Sequence, residues 1–182
     1  MKQIIAITCL AVILTSCNNA EPTKTDADST AAAVAPATEL VLPFKLERPY
    51  RNWQKGSNEN VVAAMTALKT YVDKDFTTMA GTIGDSLEMH FDNFYAKLSR
   101  DSALKMFAAM RPQYNDLTVT MYDYESVISA DKSEEWVTLW YKEAWKNEKG
   151  VANSLAITDD IKLKDGKMIT LDEKIQHIPA KK

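Results

Sequence analysis

From Leu117 onward, apolar and polar side chains alternate in four long stretches, Leu117–Ala130, Glu135–Asn147, Val151–Leu163 and Lys167–Ile178. A period of two is that of a strand with one face buried. The joining segments Asp131-Lys132-Ser133, Glu148-Lys149-Gly150 and Lys164-Asp165-Gly166 are short enough to make hairpins. The N-terminal half has a different rhythm. Val61, Met65, Leu68 and Val72 recur at helical spacing behind a cap at Ser57 or Asn58, and Phe76, Met79 and Ile83 form a shorter stripe that stops at Gly84-Asp85. Leu87, Met89 and Phe91 alternate as a strand. A third helix carrying Ala103, Phe107 and Met110 is capped by Ser99 and closed by Pro112. Long strands joined by tight turns predict a strongly curved antiparallel sheet with helices on one side, an α+β domain.

Ahead of this domain, Leu40, Leu42, Phe44 and Leu46 suggest a short extended lead-in, followed by Arg48, Tyr50, Arg51, Trp53 and Lys55. Five such residues without a wider basic face read as a packed lead segment whose arginines lie along the surface. Asn18 to Glu39, rich in Ala, Thr, Asp, Ser and Pro, buries too little apolar surface to fold and is expected to be a tether. The apolar run Ile4 to Leu14 behind Lys2 reads as a secretory signal, too short to remain as a membrane span. Leu14-Thr15-Ser16-Cys17 resembles the lipobox of bacterial lipoproteins. That resemblance implies lipidation of Cys17, the membrane as a partner through the anchor, and a place in the bacterial cell envelope. Asn18 after the cysteine points to the outer membrane, facing the periplasm. The expected division is a signal at 1–16, a lipidated tether at 17–40 and one folded domain at 41–182.

The 22 basic and 25 acidic residues leave a net charge of −3. Without Lys2, Lys24 and the four acids of the tether, 20 bases face 21 acids from Leu40 onward. A chain with no cationic excess cannot neutralise a row of phosphates, so nucleic acid is excluded as a partner. Cys9 leaves with the signal and Cys17 is consumed by lipid, so no thiol chemistry is expected in the domain. His90 and His177 are the only histidines and form no ligand cluster, and Ser126 and Ser154 have no histidine at a recognisable spacing. No metal and no cofactor are expected.

The order helix, short helix, strand, helix and four strands resembles the SnoaL-like branch of the nuclear transport factor 2-like superfamily over Asn58 to Ile178. So does the run Asp159-Asp160-Ile161-Lys162-Leu163-Lys164-Asp165-Gly166-Lys167-Met168-Ile169. The resemblance implies a cone-shaped α+β barrel, three N-terminal helices packed in a curved antiparallel sheet, with a ligand pocket open at one end and an outer sheet face used for dimers. Related isomerases place a base near the end of the first strand, where this chain has Phe91 and, one residue on, Asp92. Tyr71 lies too near Asp75 to match their first-helix tyrosine.

Alternation directs Leu155, Ile157, Ile161 and Leu163 inward together with Asp159, and Ile169, Leu171 and Ile175 inward together with Glu173. The expected pocket lining is therefore Leu155, Ile157, Ile161, Leu171 and Ile175, with Asp159 and Glu173 as candidate catalytic acids. Two carboxyls in one apolar cavity raise each other's pKa and can move protons, whereas acids bonded to amides or a lysine only hold structure. Three functions remain open. The leading one is a lipid-anchored, non-enzymatic module binding a small apolar or amphipathic ligand or a partner segment. The alternative is an isomerase- or cyclase-type enzyme using Asp159 and Glu173 for proton transfer, and the third is a structural protein whose pocket is filled by its own side chains. Trp136 and Trp140, opposite Val137, Leu139 and Tyr141, mark a candidate homodimer face.

Overall fold

The computed structural model describes residues 41–92 and 94–177. The signal, the tether and Cys17 lie outside them. Helix α1 (Asn58–Asp73) starts where the Ser57 hydroxyl accepts a bond from the Asn60 amide at 3.1 Å, and it ends at Lys74 in the left-handed conformation. Its buried row is Val61, Ala64, Ala67 and Thr70 rather than Val61, Met65, Leu68 and Val72. Two alanines let the helix lie close on the sheet, and Met65 and Leu68 flank the contact half-buried. Helix α2 (Phe76–Ala80) is capped by Asp75 and helix α3 (Arg100–Met110) by Ser99. A single tighter turn, Arg111–Gln113, carries Pro112.

Seven strands form one sheet. They are β1 (Gln54–Lys55), β2 (Ile83–Phe91), β3 (Phe94–Ser99), β4 (Asn115–Ile128), β5 (Glu135–Lys146), β6 (Ala152–Lys164) and β7 (Lys167–His177), in the order β1-β4-β5-β6-β7-β2-β3. This corrects the expectation of a cone-shaped barrel with three N-terminal helices in an antiparallel sheet. The sheet is open, because β1 and β3 end it on opposite sides without pairing. It is also mixed, since β2 runs parallel to β7. Only α1 and α2 precede the first long strand; α3 follows the β2–β3 hairpin, so the helices are scattered along the chain. Phe94, Ala96 and Leu98 alternate along β3, a strand that the sequence analysis does not assign, and β3 forms one edge of the sheet.

Asp165 and Gly166, both at positive φ, close the β6–β7 hairpin in the two-residue turn whose twist matches that of the strands. The ladder then slips by one residue, because Leu163 pairs with Met168 and Lys162 with Thr170. Ile169 is the extra residue, so Met168 rather than Ile169 is buried on the inner face, and the pairing is regular again before Glu173. Ile83, Leu87, Met89, Val137 and Leu139 are fully buried between the inner face and the helices. On the outer face of β5, Trp136 lies under the Lys162 ammonium at 5.4 Å and Trp140 is 37% exposed.

Candidate active site

On the inner face, β5 contributes Tyr141 and Glu143, β6 contributes Asp159, and β7 contributes Glu173. Asp159 sits directly opposite Glu173 in the β6–β7 ladder and opposite Leu139 on the other side. Tyr141, one step along β5, donates its hydroxyl to Asp159 Oδ2 at 2.8 Å. Asp159 Oδ1 is buried with no hydrogen-bond partner among the described residues. An unsatisfied oxygen at such depth is disfavoured if ionised, so the carboxyl is held in its protonated form.

The helices close the cavity from above. Tyr71, in the last turn of α1, stacks edge-on against Phe107 of α3 with ring centres 5.9 Å apart, and Tyr114 follows the tight turn after α3. Buried Arg111 fixes these parts. Its Nε donates to the Tyr71 carbonyl at 3.0 Å, its Nη2 to the Val72 carbonyl at 2.7 Å, and its Nη1 to the Tyr114 carbonyl. A guanidinium thus caps the C-terminal carbonyls of α1, which has no basic residue in its own last turn. Arg111 forms no ion pair among the described residues, and it does not line the cavity.

The cavity volume is about 110 Å³. Leu155, Ile157, Ile161, Leu171 and Ile175 line it, as do Glu143, Asp159 and Glu173. Ile175, 38% exposed, lies at its mouth. Burial raises Glu173 to about pKa 7. Burial, reinforced by Glu173 and opposed by the Arg111 charge, raises Glu143 to about 7. Asp159 is raised well above the carboxylate range by burial and then by Glu173, with the Tyr141 hydrogen bond acting in the opposite sense. Burial also pushes the phenols of Tyr71, Tyr114 and Tyr141 upward, so all three stay neutral. Near neutral pH the cavity therefore holds a protonated acid beside carboxyls poised to accept a proton, the environment general acid–base chemistry requires. Among the described residues no group of three His, Cys, Asp or Glu side chains is placed to hold a metal ion.

Four lining residues with polar side chains, Tyr71, Tyr114, Tyr141 and Glu143, are not in the lining expected from the sequence. Glu143 continues the row Val137, Leu139, Tyr141 and was legible from it; Tyr141 was assigned to that face without a partner. Tyr71 and Tyr114 reach the cavity through the way α1 and the turn after α3 cross the sheet, which periodicity does not encode. Phe91 lines the cavity, whereas Asp92 is exposed at φ 41°.

By sequence, no family model and no curated protein matches the chain. Solved structures do share its fold. An LEH-like epoxide hydrolase of M. tuberculosis superposes with a TM-score of 0.53 at 15% identity, covering 66% of this chain and 84% of the other. AusH from Aspergillus nidulans gives 0.53 at 12% identity, over 68% and 87%. A protein described as a SnoaL-like polyketide cyclase, from Shewanella putrefaciens, gives 0.54 at 8% identity, over 65% and 80%. The chain shares the fold of these proteins, one of which is described as SnoaL-like.

The cavity corrects the leading functional expectation. A non-enzymatic holder for an apolar or amphipathic ligand or a partner segment has no use for a proton donor set against an acceptor, yet Asp159, kept protonated, stands opposite Glu173 in the cavity at a cost to the fold.

Proposed function

We propose that the protein is an isomerase- or cyclase-type enzyme that moves a proton on a small, largely apolar carbonyl substrate. The observation that carries this reading is the pairing of Asp159 with Glu173 across one ladder rung in the same cavity, with Oδ2 of Asp159 bonded to Tyr141 and Oδ1 without a partner. Glu173, titrating near neutrality, takes a proton from the carbon beside the carbonyl. Protonated Asp159 donates from its free oxygen to the carbonyl oxygen as negative charge develops there, and Tyr141 holds the carboxyl in place. Glu173 then returns the proton at the new position. That a structure of the same fold is described as a polyketide cyclase supports the reading as a likeness of fold.

Exchange of α-protons into cyclohexanone in heavy water, followed by proton NMR, reads this step without knowledge of the overall reaction. The wild type accelerates exchange, and Glu173→Gln loses about 10²-fold or more of the acceleration. Equal exchange by the wild type and by a protein carrying both Asp159→Asn and Glu173→Gln overturns the reading. The proposal also places the enzyme at the cell envelope, held by lipid on Cys17. Cys17→Ala then moves the protein from the membrane fraction to the soluble one; a variant that still pellets after a high-salt wash refutes the anchor.

A further inference from the structure

Proton transfer uses Asp159 and Glu173 and leaves the third carboxyl without a task. Glu143 is 7% exposed and lines the cavity, yet it makes neither a hydrogen bond nor an ion pair with any described residue. The aromatic rings of Tyr71 and Tyr114 line the same cavity, and both phenols are close enough to feel the Glu143 charge. No lysine, arginine or histidine is among the described lining residues. Arg111, whose charge acts on Glu143, stands outside the lining against the Tyr71 ring at 5.9 Å, with its donors taken by the carbonyls of Tyr71, Val72 and Tyr114. It favours an ionised Glu143 without closing a salt bridge on it.

A buried, unpaired carboxylate in a tyrosine-lined cavity with no cation in its lining is the chemistry that recognises a protonated amine. An anionic group would meet three acids, and a neutral one would leave the Glu143 carboxylate unpaired at depth. From this arrangement we infer that Glu143, with Tyr71 and Tyr114, forms a subsite for the ammonium group of an amphipathic amine substrate. The inference deepens the proton-transfer reading by giving the substrate a charge and a direction: its ammonium at Glu143 and its reacting carbon between Asp159 and Glu173.

Three molecules of one shape test it: cyclohexylamine, cyclohexanol and cyclohexanecarboxylate, with dissociation constants measured by calorimetry on the full chain. The amine binds at least about tenfold more tightly than the alcohol, and the carboxylate binds most weakly. The preference increases from pH 6 to pH 8 as Glu143 ionises, while the amine stays cationic throughout. Glu173, Asp159, Arg111 and the three phenols also face this region, so the assignment to Glu143 rests on variants: Glu143→Gln brings the amine-to-alcohol ratio to about one, and Glu173→Gln keeps it. A wild-type ratio near one, no binding of any of the three, or a ratio abolished by Glu173→Gln and kept by Glu143→Gln overturns the subsite; the wild-type ratio decides even if a variant fails to fold. Cyclohexanone carries no charge, so loss of its exchange with the amine preference intact rejects the proton-transfer reading alone, and the converse rejects the subsite alone.

Discussion

Asp159 and Asp160 are neighbours in the chain and opposites in chemistry. Asp160 points to the outer face, where Thr138 donates to it at 2.6 Å and Lys174 at 2.7 Å. Asp159 points inward, has one phenol for a partner and is driven toward its neutral form. The same division runs along the adjoining strand: Asp172 meets Lys174 at 3.0 Å outside, whereas Glu173 is half-buried inside without a cation among the described residues. One step of the pleat therefore separates acids that are satisfied as charges from acids kept as proton donors and acceptors.

The most severe way to break this contrast is to add an acid beside Asp159 on the inner face. Leu139 is fully buried and pairs with Asp159, so Leu139→Asp destabilises by about 4 kcal/mol or unfolds the domain. Thr158→Asp, on the outer face opposite Lys174, changes stability by no more than about 0.5 kcal/mol. Urea unfolding of the pair at pH 8 compares them, and equal losses would mean that the two faces do not differ as environments for charge.

A gentler change sharpens the contrast through pH. The folded state keeps Glu143 and Glu173 protonated up to about pH 7, whereas the unfolded chain releases those protons near 4.5. Across that window the native state binds more protons, so stability falls as pH rises and levels off above it. Glu173→Gln removes its share of the slope and is more stable than the wild type at pH 8 by roughly 2 kcal/mol, with little difference at pH 4. Denaturant melts across the range check this; a variant less stable at pH 8 would make Glu173 a structural acid. The smallest effect belongs to the outer face. Asp160→Asn loses a partly exposed pair with Lys174, amounting to less than about 1 kcal/mol and shrinking further in high salt.

Much of this division was legible in the sequence, because a period of two assigns faces without knowledge of what they pack against. Alternation alone carried Asp159 and Glu173 to one side, and the Asp165-Gly166 turn set the hairpin that pairs them. The same rule, followed two residues beyond Tyr141, reaches Glu143. What lay beyond it was long-range. The bulge at Ile169 moves Met168 inward, the pairing of β2 with β7 joins segments with no local signal for each other, and Arg111 holds carbonyls of α1 forty residues upstream in the chain. The open sheet was missed for the same reason, since the identity of an edge depends on which strands remain without a neighbour.

The parallel pairing of β2 with β7 also sets an order of assembly. The hairpin of β6 and β7 is local, with Asp159 and Glu173 fourteen positions apart, and it can bring the acids together while they are still wet and ionised. Docking of Met89 beside Leu171 and Phe91 beside Glu173 joins positions 82 residues apart, a contact that must wait for a large loop to close. Only then is water expelled around the carboxyls. At neutral pH the late steps of folding therefore take up protons from the solvent, and acidification speeds that part of the reaction relative to the formation of the hairpin.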